Sequence, residues 1–156
     1  LIFHAHMQWN TCLAREKQNS IQAIFGMTRG RKLLQFSRVK LSMRAQSLYG
    51  SVKHKTGLGI NVLARYGLCL SLKDPSIPNP DEFDETGMEI SPNILFGEHE
   101  NIYKALMIDR LHKDELDIEL YFQKMTRAHI CRGAAALFPR INDLSDFGDI
   151  IKQEKK

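Results

Sequence analysis

The sequence predicts a mainly α-helical chain in which one short strand and two helices form an N-terminal core and a helical half follows. Three observations point there. Apolar residues recur at helical spacing through most of 43–73 and 98–138. Residues 37–42 alternate apolar and polar, as a half-buried strand does. Gly57-Leu58-Gly59, the proline-rich stretch from Pro75 to Pro80, and Pro139 punctuate the helical runs where helices have to stop.

At 156 residues with 43% apolar content, the chain can build one ordinary core. Its formal charge of +4 hides a division. Residues 1–73 hold twelve basic side chains and one acidic, a balance of +11; residues 74–156 hold ten and seventeen, a balance of −7. From Lys17 to Lys73 there are eleven Lys and Arg and no Asp or Glu. Such asymmetry suggests a nucleic-acid face on the first half, the plainer alternative being a solvated basic surface. Cys12, Cys69 and Cys131 form no CxxC and no disulfide framework, which favours a reducing cytoplasm. No apolar run approaches a membrane span, and the first residues lack the layout of a signal peptide.

Taken in order, residues 1–36 read as an extension, with 27–36 a basic arm and Met27 a sensible start, since the chain opens on Leu1. His4 and His6 are too few to hold a metal. In 37–42, Val39 and Leu41 share one face and Arg38 and Lys40 the other. A strand this short needs a partner, and the same strand of a second copy is expected to supply it. Ser42 is a fair N-cap for a helix over 43–56, with Ala45, Leu48, Tyr49 and Val52 on one face. Gly57 fits the position after its end, and Lys53, His54 and Lys55 suit the dipole of its last turn. The next helix, 60–73, is apolar nearly all round and is expected to be buried against a second subunit.

An acidic linker spans 74–85. Residues 88–96 read as a short strand broken by Pro92, 98–116 as a helix, and 118–138 as another behind the N-cap Asp117. Gly133 and the three alanines after it would let a neighbouring helix approach closely. The domain is thus expected at 37–139, with 140–156 a tail.

No catalytic set emerges. His99-Glu100 starts like HExxH, but Tyr103 stands where the second His belongs. His129 and Cys131 face different ways on a helix, and His129 reads as a core histidine. Glu98, Glu100, Asp114, Glu115, Asp117 and Glu119 read as solvated helix-end charges. No cofactor or metal is expected. The strand–helix–helix order instead resembles the ribbon-helix-helix class, in which paired strands enter the major groove with outward side chains, here Arg38 and Lys40. The N-terminus of the second helix, Gly57 to Asn61, would then face a phosphate.

Several blocks in order carry a closer resemblance. They are Lys40-Leu41-Ser42, Lys53-His54-Lys55-Thr56-Gly57-Leu58, Asn61-Val62-Leu63-Ala64-Arg65-Tyr66, Leu68-Cys69-Leu70-Ser71-Leu72 and Asp74-Pro75-Ser76-Ile77-Pro78. Phe96-Gly97-Glu98, Tyr103-Lys104-Ala105-Leu106 and His129-Ile130-Cys131-Arg132-Gly133 continue them. Over about residues 37–138 the chain resembles the DndE family of DNA sulfur-modification proteins. The resemblance implies a non-catalytic, DNA-engaging subunit of the phosphorothioation machinery. Such a subunit would favour nicked duplex, form a homodimer or homotetramer, and work beside the subunits that mobilise sulfur. On that reading Arg38, Lys40, Arg44, Lys53 and Lys55, with His54 among them, grip the DNA backbone; Arg31, Lys32 and Arg65 rank second. The alternative is a ribbon-helix-helix transcriptional regulator or antitoxin, which two long helices in the second half disfavour.

Overall fold

A computed structural model describes residues 34–153. The chain divides into two compact units, Leu1–Leu34 and Gln35–Lys156, and every element named here belongs to the second. His4, His6, Cys12, Met27, Arg31 and Lys32 lie outside the described residues.

The fold is mainly helical. Strand β1 is Val39–Lys40, helix α1 Met43–Thr56, α2 Ile60–Lys73, β2 Glu89–Ile90, α3 Pro92–Leu95, α4 Glu100–Lys113, α5 Ile118–Leu137 and α6 Asp146–Gln153. Helix α1 starts where sequence reasoning places it: the Ser42 hydroxyl accepts from the Ala45 N–H at 3.1 Å. It ends at Gly57, whose φ of 73° needs glycine and whose N–H reaches the Lys53 carbonyl at 2.8 Å. Ala45, Tyr49 and Val52 face the core.

Helix α5 is the spine. Asp117 caps it by accepting from the Leu120 N–H at 2.8 Å, and ten of its residues are buried. Helix α2 packs along it through Leu63, Ala64, Gly67, Leu68 and Ser71. The two backbones touch: a Cβ on Gly133 would stand 2.1 Å from the Gly67 carbonyl oxygen. Tyr49 locks α1 to the same place, donating to the Ile130 carbonyl at 2.7 Å. On another side of α2, the Tyr66 ring lies 4.8 Å from Phe147 of α6, tilted by 56°. So one face of α2 is buried within its own chain, while Val62, Tyr66, Cys69 and Leu70 are half-buried.

The strand is completed within the chain as well. β1 pairs antiparallel with β2, Val39 opposite Ile90 and Lys40 opposite Glu89. The partner is the 88–96 segment, read as a broken strand, which reaches β1 where the sequence reading expects a second copy. Leu41 extends the pairing, donating to Met88 O at 2.9 Å and accepting from the Gly87 N–H at 3.0 Å. Phe36, at the end of the segment expected to be an arm, is buried. Its ring lies 4.3 Å from Phe96 and 4.8 Å from Phe122.

Three arginines of the second half strap down the segment read as a linker. Arg110 donates to the carbonyls of Leu72 (2.9 Å), Asp74 (2.6 Å), Pro75 (3.1 Å) and Ser76 (2.9 Å). Arg132 reaches Ser71 O at 2.6 Å and Ser76 O at 2.9 Å. Arg127 reaches Phe83 O at 2.8 Å and Pro80 O at 3.1 Å. The bonds to Ser71 and Leu72 fill carbonyls that α2 leaves open at its C-terminus. Asp114 is not a solvated charge: its side chain is 7% exposed and bonded to Arg110 at 2.7 Å.

Candidate nucleic-acid interface

The acid-free sequence becomes a surface through β1, α1 and the turn into α2. Strand alternation buries Val39 and Leu41 and leaves Arg38 and Lys40 exposed. On α1 the core face is Ala45, Tyr49 and Val52, which turns Arg44, Ser47, Ser51, His54 and Lys55 to solvent. Arg44 and Lys55 are close to three turns apart, so they share one flank at a separation of roughly 16 Å. His54 and Ser47 lie along the middle of the exposed face, and Lys53 projects from the opposite flank.

The candidate residues are thus not equivalent. Lys40, Arg44 and Lys53 take part in no ion pair among the described residues. Arg38 is held by Glu89, with Nη1 to Oε2 at 3.4 Å. Lys55 is held by the fold: its Nζ donates to Ile141 O at 3.2 Å and stands 4.9 Å over the Phe138 ring. Arg65 is half-buried and folds back to donate from Nε to Asn61 O at 3.3 Å. Of these candidates, the three without an ion pair among the described residues divide between the sheet end of α1 and its C-terminal turn.

Beyond that turn, α2 begins at Gly59 with no side-chain cap and no acid in its first turn. Its free N–H groups carry the positive end of the helix dipole. Asn61 flanks them, with Nδ2 donating to Ile94 O at 3.2 Å. The N-terminus of α1 differs: Asp84 closes it, Oδ1 accepting from the Met43 N–H at 3.1 Å. The Thr86 hydroxyl first, then the N–H groups of Met43 and Thr86, hold the Asp84 carboxyl below the usual carboxylate range.

His129 is fully buried, and its Nδ1 lies 2.9 Å from the Ser71 hydroxyl. Arg132 Nε donates to that hydroxyl at 2.7 Å, so Ser71 passes its own proton toward Nδ1 and His129 keeps its hydrogen on Nε2. Nε2 is buried with no partner. Burial first, then the charges of Arg132 and Arg110, pushes the His129 pKa down to about 3. It is the core histidine expected from the sequence. Burial raises the Cys69 thiol to about 11, so it stays protonated and a poor nucleophile. Among the described residues no group of His, Cys, Asp and Glu could hold a metal ion, and no helix is long and apolar enough to cross a membrane.

Sequence reasoning missed Glu89. The available signal was the alternation of Met88-Glu89-Ile90, which already marks a strand with an outward carboxylate.

Residues 38–144 match the family described as DNA sulphur modification protein DndE. Among solved structures, the chain is similar to DndE from Escherichia coli B7A, described as involved in DNA phosphorothioation modification. The two are 21% identical, with a TM-score of 0.54 over 67% of this chain and 99% of that one. At that identity the likeness speaks for the fold. No curated protein matches the chain.

Proposed function

Because the chain belongs to the DndE family of DNA sulphur modification proteins, we propose that it is the DNA-engaging, non-catalytic subunit of a phosphorothioation system. It grips the sugar-phosphate backbone with Lys40, Arg44, Lys53 and His54, and in lesser degree with Arg38, Lys55 and Arg65. Arg31 and Lys32, outside the described residues, are further candidates. One observation carries the reading: β1, α1 and α2 contain no acid, and Lys40, Arg44 and Lys53 are exposed with no ion pair among the described residues. Cations in that state can each neutralise a phosphate and release its counterion. The uncapped start of α2 adds N–H donors of the kind that bind phosphate oxygens. Strand breaks in duplex DNA are its preferred target, and its partners are the sulfur-handling subunits and further copies of itself in the cytoplasm.

A groove-reading transcriptional regulator is less well supported. β1 pairs with a strand of its own chain, and Glu89 stands beside the two side chains that would read bases.

The test is binding to intact duplex, nicked duplex and single-stranded DNA of several sequences across a salt series. Sequence-tolerant binding, strongest on nicked duplex and weakening with salt, is expected. Dependence on one sequence, or no binding at low salt, would overturn the reading.

A further inference from the structure

We propose that Glu89 is an electrostatic brake on the basic surface, a carboxylate set between Arg38 and Lys40 that limits how strongly the sheet end engages phosphate. The inference rests on the DNA-binding reading and adds to it a residue that sets affinity from outside the contact set.

The placement follows from register. Lys40 and Glu89 are directly opposed in the antiparallel pair, so their side chains leave the same face, and both are exposed. Arg38 lies on that face one diagonal step away and reaches Glu89 Oε2 at 3.4 Å. The outer face of the sheet therefore carries two cations around one carboxylate. The inner face is the one that anchors the sheet: Val39 and Ile90 are 3% and 4% exposed.

That division matters for what Glu89 can be doing. The Arg38 and Glu89 side chains are 71% and 47% exposed, and ion pairs so open to water hold a fold together only weakly. The apolar pair beneath them stabilises the sheet, and a neutral residue of the same size would serve there equally well. What the carboxylate does change is the local potential. A phosphate approaching Arg38 or Lys40 meets a like charge between them, and full use of Arg38 requires breaking its contact.

The experiment compares wild type, Glu89→Gln, Arg38→Ala and the double variant for binding to labelled nicked duplex. Asp149→Asn, the same charge change on another element, is the control. Thermal melting confirms that each variant is folded. Glu89→Gln is expected to bind more tightly and to add about 0.9 to the magnitude of the salt slope, the value of one phosphate contact. Between about 50 and 200 mM salt that is roughly a 3.5-fold steeper fall in affinity. The gain should shrink in the Arg38→Ala background. If wild type binds and Glu89→Gln gains no more than Asp149→Asn, the brake is overturned while DNA binding stands. If neither wild type nor Glu89→Gln binds, the DNA-binding reading itself fails and takes this inference with it.

Discussion

Gly67 and Gly133 meet backbone to backbone where α2 crosses α5, with no room for a Cβ on either. A methyl on Gly133 would have to push against the Gly67 carbonyl and Cα, which are main chain and cannot swing aside. Gly133→Ala should therefore cost about 1–3 kcal/mol or more. Ala135→Ser, at an exposed position of the same helix, should cost little. Urea denaturation of both variants makes the comparison, and equal midpoints would contradict the close crossing.

Arg110 is 6% exposed and carries the Asp114 carboxylate together with four carbonyls. Removing the guanidinium leaves the Asp114 carboxylate, 7% exposed, and the Leu72, Asp74 and Pro75 carbonyls without this donor, while Ser76 O keeps Arg132. Arg110→Met is expected to destabilise the fold by about 3–5 kcal/mol. Arg110→Met with Asp114→Leu should recover part of that loss, because the stranded charge goes too. A double-mutant cycle on unfolding free energies measures the coupling.

His129 makes stability depend on pH with a definite sign. Its pKa is about 3 in the fold, against about 6.5 for a free histidine. The unfolded chain therefore takes up a proton first as pH falls. The contribution of neutral His129 is complete above about pH 6.5 and declines by about 1.4 kcal/mol per unit between there and pH 3. His129→Asn, which keeps an acceptor for Ser71 and does not titrate, should flatten that limb of a stability-versus-pH profile. An unchanged limb would assign it to other groups.

Lys53 and Lys55 flank one residue yet should behave differently. Lys53→Ala is expected to lower DNA affinity and take about 0.9 from the salt slope while leaving the melting temperature unchanged. Lys55→Ala also removes the bond to Ile141 and the stack on Phe138. It should lose about 0.5–1 kcal/mol of stability as well. Calorimetry beside the binding titration separates the two.

Local signals were legible in the sequence because they need only neighbours. Ser42, Gly57 and Asp117 mark helix ends through their own side chains or lack of one, and α1 and α5 begin, and α1 ends, where those residues predict. The small residues at Gly133 announced a close crossing but not its partner. Pairings across long separations could not be read. A two-residue strand has too few side chains to specify what it lies beside, so β1 was assigned a second copy when Glu89–Ile90 was available. Arginine bonds to carbonyls are equally silent, since every residue but its side chain offers the same acceptor. Of the candidate contacts, exposure followed from alternation and helix period; the tethering of Arg38 and Lys55 depended on residues far along the chain.

The basic surface comes from the first half, yet it is not finished when that half has been made. Lys40 waits for Glu89, Tyr49 for a carbonyl 81 positions later, and Ser71 for Arg132, 61 positions on. Contacts of such span form slowly because each closes a long loop. On the ribosome, the cationic segment would emerge well before the elements that shape it, as an unpatterned polycation that any nucleic acid could attract. On the DNA-binding reading proposed above, discrimination between targets would be acquired only when α5 has been synthesised and docked, and the first half alone would lack it.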